Sequence, residues 1–168
     1  THPRTLTQSE RWTATAPHRV EGDTSLAPGV TLTIDPCARV VFARDASLTV
    51  SRSGANLIAE GTATQPITFA GDHGLRWGQV TIEQPARASL RYVNLSDGGA
   101  DHFHGYATIM LRGDALTPAK PVARLDHVTV SGSLGPGVRV DRADLRAKLA
   151  VASGGVVWRA VAAVAGSG

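Results

Sequence analysis

The residues best equipped for chemistry lie together in the segment DGGADHFHGYA, which holds Asp97, Asp101, His102, His104 and Tyr106. Two carboxylates beside a histidine suit glycoside hydrolysis, one protonating the leaving oxygen while another activates water. Asp101, His102 and His104 are also residue types that ligate metals, and an i, i+2 spacing puts both imidazoles on one face of a strand. No second cluster of defined spacing completes a tetrahedron, so the sequence assigns no metal, no cofactor and no catalytic residue. The segment reads instead as a loop-borne binding site. Glycines flank it and let the backbone approach a ligand closely, and loops on a rigid scaffold are where binding residues gather.

That scaffold must be built from strands. From Thr24 onward, short clusters such as TLTI, RVVF, SLTV, NLIA, PITF and QVTI recur, and apolar residues alternate within each. Leu32 and Ile34, Leu48 and Val50, Ile67 and Phe69, and Val93 and Leu95 therefore face inward. Between the clusters lie DP, RDA, SRSG, GDHG and SDGG, which are turn-formers. Few pairs have the tight two-residue link of a hairpin.

Internal repetition decides the architecture. SLRYVNLS laid over RLDHVTVS matches Leu90 with Leu125, Val93 with Val128, Leu95 with Val130 and Ser96 with Ser131, and HVTVS then lies over KLAVA. A recurrence near ~20 residues signals a solenoid, in which each strand pairs in register with its equivalent one coil away. The fold expected is all-β, a right-handed parallel β-helix of about four to five coils. It forms a single domain over residues 1–168, with 1–19 an N-terminal cap and 141–168 a degenerate last coil or cap. The longer step between the first two repeats implies a loop between Gly98 and Pro121.

Composition narrows the function. The charged share is 18% and the net charge +3, nearly all bases being arginine. They are spread singly and lack the interleaved aromatics of nucleic-acid grooves, so no nucleic-acid partner is expected. No apolar run is long enough to span a bilayer, so no membrane insertion is expected. One cysteine rules out an internal disulfide framework. The first residue is Thr1, which reads as a processed mature chain or a fragment. Thr-x-Thr pairs at Thr13, Thr31 and Thr62 do not keep one register, which speaks against an ice-binding face.

The run VEGDTSLAPGVTLTIDPCARVVFARDASLTV, followed by LIAEGTATQPITFAG, RWGQVTI and SLRYVNLSDGG, resembles the right-handed parallel β-helix repeats of bacterial surface and secreted proteins. Cys37 departs from that pattern, standing where the family has glycine. The resemblance implies a pectate-lyase-like fold and an extracytoplasmic location, secreted or on the cell surface. Polysaccharide lyases on this fold use carboxylates that hold Ca²⁺ and a basic residue that takes a proton. Asp126, Asp141 and Asp144 with Arg124, Arg139 and Arg142 are the residues available for that. His104-Gly105 resembles part of the Gly-His-Gly of polygalacturonases, whose partner motifs are missing. The function expected is a non-catalytic structural or adhesive module, with polysaccharide or another surface protein as partner. The alternative is a lyase or glycoside hydrolase acting on an acidic polysaccharide. Carbohydrate recognition would draw on Trp12, Trp77, Tyr92, Tyr106 and Trp158.

Overall fold

Alternation of apolar residues becomes alternation of burial, and burial sets which way each strand faces. A computed structural model describes residues 2–51, 54–100, 107–113, 122–151 and 156–159, with side chains up to Leu145. The described chain is all-β with parallel pairing throughout. The eight residues expected to face inward are each at most 1% exposed.

The strands stand in three columns that the chain visits in turn. The first is a seven-stranded sheet of β1 (Thr5–Leu6), β4 (Thr24–Leu26), β7 (Leu48–Val50), β10 (Val80–Glu83), β12 (Ile109–Arg112), β14 (Val138–Asp141) and β16 (Val156–Arg159). The second starts with β2 (Glu10–Trp12), β5 (Thr31–Ile34) and β8 (Asn56–Glu60), and the third with β3 (His18–Val20), β6 (Arg39–Phe42) and β9 (Ile67–Gly71). The long strands β11 (Arg87–Ser96), β13 (Val122–Ser131) and β15 (Asp144–Val151) then serve both columns. The first half of β11 pairs with β8 and the second half with β9.

Register brings like residues together. Leu26, Val50, Ile82, Leu111 and Val140 succeed one another along the first column. Ile34, Ala59, Leu90 and Leu125 do so along the second, and Val40, Phe69, Leu95 and Val130 along the third. All are buried in one core. Seven strands in the first sheet exceed the four to five turns of chain expected from the repeat, because residues before Arg19 and beyond Asp141 also contribute strands. The stretch expected to be one loop between Gly98 and Pro121 contains β12; residues 101–106 and 114–121 lie outside the described residues.

Corners between the second and third columns change along the stack. In earlier circuits they are multi-residue turns, such as the one between Glu60 and Ile67. In β11 and β13 a single left-handed residue turns the strand, Tyr92 at φ 47° and His127 at φ 53°. Strand β15 lacks such a residue: Asp126 pairs with Lys148 and Val128 with Leu149. The expected match of His127 with Lys148 is thereby corrected, since His127 is an inserted corner residue.

Cys37 shows why the resembled repeats carry glycine at its position. It turns the chain between β5 and β6 at φ 67°, exposed, with its N–H donated to the carbonyl of Gln65. A Cβ in that region costs about 1–2 kcal/mol. Cys37→Gly is therefore expected to raise stability, offset in part by the greater freedom of glycine in the unfolded chain. Chemical denaturation would check this, and a lower midpoint for the variant would refute it.

Candidate functional site on the second outer face

The outward residues of the second column share one face that crosses the strands. Neighbouring strands are about 4.8 Å apart, so side chains in equivalent positions stack into rows. One row runs Glu60, Arg91, Asp126, with Lys148 of β15 at the next register position. The next runs Thr33, Ile58, Ser89, Arg124, with Arg146 at the next register position, and a third runs Thr31, Asn56, Arg87, Val122, Asp144. The first of these alternates in charge at every step, which favours this register over any slipped one. A similar row, Glu83, Arg112, Asp141, Arg159, lies on the first sheet.

Asp126 is the focus of the second face. Its carboxylate, 15% exposed, lies 3.5 Å from Arg91 Nε, 3.9 Å from Arg124 Nη2 and 2.8 Å from His127 Nδ1. The His127 ring stacks on Tyr92 at 4.5 Å, and the Arg91 guanidinium lies 5.3 Å from the Tyr92 ring centre. The two left-handed corner residues thus hold each other through their rings. Chemically the cluster is a cationic surface around one shared carboxylate.

Comparison of the chain with protein-family models, with curated proteins and with solved structures returns no match. The site therefore rests on geometry.

Of the residues expected to bind a ligand, Asp101, His102, His104 and Tyr106 lie outside the described residues. Asp97 is described, and its position is that of a corner. Its φ is 63°, its N–H donates to the Ser131 carbonyl, and its own carbonyl accepts from the Trp77 N–H. A Cβ on Gly132, itself at φ 62°, would come within 2.5 Å of the Asp97 carboxylate.

The set available for lyase-type chemistry divides. Asp126, Asp144 and Arg124 belong to β13 and β15 on the second column, whereas Asp141 and Arg139 belong to β14 on the first sheet, next to Arg142. Among the described residues no group of three His, Cys, Asp or Glu is placed to hold a metal. Two of the aromatics named for carbohydrate recognition are core residues: Trp12 is 1% and Trp77 0% exposed. Trp77 faces inward because its ring completes a stack with Phe42, and its indole N–H donates to the Ser96 carbonyl at 2.6 Å.

Trp12 belongs to a second polar-aromatic cluster at the beginning of the stack. Its ring stacks on both His2, at 4.1 Å, and His18, at 5.0 Å, and its Nε1–H donates to Glu10 Oε2 at 2.9 Å. His18 Nε2 is 2.9 Å from the Thr13 carbonyl and must donate to it, so the neutral His18 ring accepts at Nδ1 from His2 Nε2, 3.1 Å away. Burial lowers the His2 pKa below the usual histidine value, outweighing the attraction of Glu10. Glu10 thus stands where the next circuit has Leu32, and His18 where it has Val40.

Of this cluster the sequence singles out Asp126, Arg124 and Tyr92 but not Arg91 or His127, although the signal for both is present. Laying SLRYVNLS over RLDHVTVS already puts Arg91 beside Asp126 and Tyr92 beside His127, as the register has them.

Proposed function

We propose that the chain is a right-handed parallel β-helix of the pectate-lyase-like kind. It serves as a non-catalytic structural or adhesive module of a larger bacterial surface or secreted protein, and it holds polysaccharide or another surface protein outside the cytoplasm. The observation that carries this reading is where the outer carboxylates are engaged. Asp126 is shared by Arg91, Arg124 and His127, Asp35 pairs with Arg11 at 2.8 Å, and Asp72 pairs with Arg19 at 2.5 Å. Acids committed to neighbouring cations tie strands together and are poorly placed to exchange protons with a substrate. Rows of outward polar side chains on stacked strands suit adhesion.

Arg124 beside Asp126 favours a second reading, a lyase or hydrolase acting on an acidic polysaccharide. One assay separates the two: incubation with polygalacturonate and with alginate, following new reducing ends and unsaturated products. No turnover is expected. Turnover abolished by Asp126→Ala or Asp141→Ala would replace the first reading with the second.

A further inference from the structure

We propose that the beginning of the stack is closed by a proton-sensitive cap, in which His2 and His18 stack with Trp12 beside the single carboxylate of Glu10, and that acid opens it. This device stands apart from the adhesive reading and from the outer faces. Opening it bares Trp12 and turns a closed end of the stack into a free sheet edge.

The cap depends on one residue outside the strands. His2 donates its backbone N–H to the Arg19 carbonyl of β3 at 3.2 Å, and its ring stacks on Trp12 at 4.1 Å and on His18 at 5.2 Å. Strands β2 and β3 are the two ends of their sheet. An end strand presents unpaired backbone groups and uncovered side chains, yet Trp12 is only 1% exposed. His2 is what covers it.

The ring contacts fix how many protons the closed cap can hold. His18 commits its Nε2–H to the Thr13 carbonyl, so its Nδ1 is the atom that accepts from His2 Nε2, 3.1 Å away. His2 Nδ1 lies 3.3 Å from Glu10 Oε2, which also accepts the Trp12 indole N–H. One added proton fits there and completes an ion pair. A second does not, because two cationic rings would set N–H against N–H, with one carboxylate for two charges. Even the first enters reluctantly: burial disfavours the charged ring, His18 and the α-amino group one residue away repel it, and together these outweigh the attraction of Glu10. The other charges of this circuit are turned to solvent or engaged elsewhere, Arg4 being exposed, Arg11 paired with Asp35, and Arg19 with Glu21 and Asp72.

The open cap, with the His2 ring in water, therefore binds more protons than the closed one below pH 6.5, the ordinary histidine value. Closure is complete above that pH and is lost as pH falls through the lowered His2 pKa. Opening stays local. Asp72, which Arg19 keeps ionised below the usual aspartate range, still anchors β3 where the cap has opened.

The test is hydrogen exchange of the indole N–H groups, followed by NMR on the full chain from about pH 8 to about pH 5, with each rate divided by that of free tryptophan at the same pH. The Trp12 indole N–H, bonded to Glu10, should lose about tenfold or more of its protection, whereas that of Trp77, bonded to the Ser96 carbonyl, keeps its own. His2→Gln and His18→Gln each leave one titrating ring and should cancel most of the loss. Glu10→Gln keeps an acceptor for the indole but removes the counter-charge, so it should move the loss to higher pH, and it decides alone if the histidine variants leave Trp12 unprotected throughout. Trp12 protection as indifferent to pH as that of Trp77 would mean a purely structural stack. That result, simultaneous loss at both indoles, an undiminished acid loss in the two histidine variants, or no shift in Glu10→Gln each overturns the proposal.

Discussion

Trp77→Ala is expected to lower the unfolding free energy by about 3–5 kcal/mol, the range for deleting a large buried aromatic. Trp77 follows a 3₁₀ turn (Asp72–Gly74) and precedes β10, yet it is fully buried. Its ring stacks on Phe42 at 4.2 Å and 15°, and Phe42 in turn packs on Phe69 at 5.9 Å. One side chain outside the strands thus joins the aromatic core of the third column to the corner where the chain re-enters the first sheet. The indole also donates its N–H to the Ser96 carbonyl, which alanine would leave without that donor. Gly98 lies against the ring so closely that a Cβ there would be 2.9 Å from Trp77 Cζ2, which leaves the packing little freedom to collapse into the cavity. In a chain of this length, the loss corresponds to a fall of roughly 10 °C in melting temperature. Trp77→Phe should retain most of the stack and lose the hydrogen bond, giving a smaller fall. A change below about 1 kcal/mol for the alanine variant would show that Trp77 does not sit in the core.

The strands were legible because period-2 alternation is a direct record of burial. Ile67 and Phe69 could be assigned an inward face with no knowledge of their neighbours, since a half-buried strand offers only two orientations. Parallel pairing was legible in the repeat, where Leu90 over Leu125 and Val93 over Val128 are true register partners. The number of circuits was not, and the reason is chemical. In the first circuit Leu6 and Val20 keep the aliphatic pattern, but Glu10, Trp12 and His18 stand where the next circuit has Leu32, Ile34 and Val40, so the pattern fades where the core ends. Trp12 and Trp77 were named for sugar binding on residue type alone. Whether a tryptophan ring turns in or out depends on partners distant in sequence, here His2 and His18 for one and Phe42 for the other. The cationic face fell between these cases. Its pairs stand in the repeat, but Arg124 takes the register position of Arg146 only because β15 lacks the corner residue, a detail of one residue in the pairing.

Gly71→Ala is expected to be destabilising by about 1–3 kcal/mol or more, the cost of forcing an atom into a filled space. The same substitution at Gly22 should be neutral or stabilising by about 0.4–1 kcal/mol through the unfolded chain. The two glycines differ in surroundings. Gly71 ends β9 with φ −71° and ψ 148°, a conformation open to any residue, so no backbone preference is at stake. Its constraint is steric: a Cβ would lie 1.6 Å from the Leu75 carbonyl oxygen and 2.8 Å from the carbonyl carbon. Both are backbone atoms, in a turn already closed by the Leu75 N–H on the Asp72 carbonyl at 2.9 Å, so no rotamer change can make room. Near Gly22 nothing lies within 4 Å of the added carbon. Displacing the turn carries a further consequence. Asp72 reaches back to Arg19 in the first circuit, two strands away in the third column, and those hydrogen bonds hold its carboxyl below the usual aspartate pKa. In the Gly71→Ala protein the carboxyl should titrate closer to its ordinary value, which NMR titration of the aspartate side chains would detect. A Gly71→Ala protein as stable as the parent, with Asp72 unmoved, would mean that β9 and the 3₁₀ turn do not meet as closely as described.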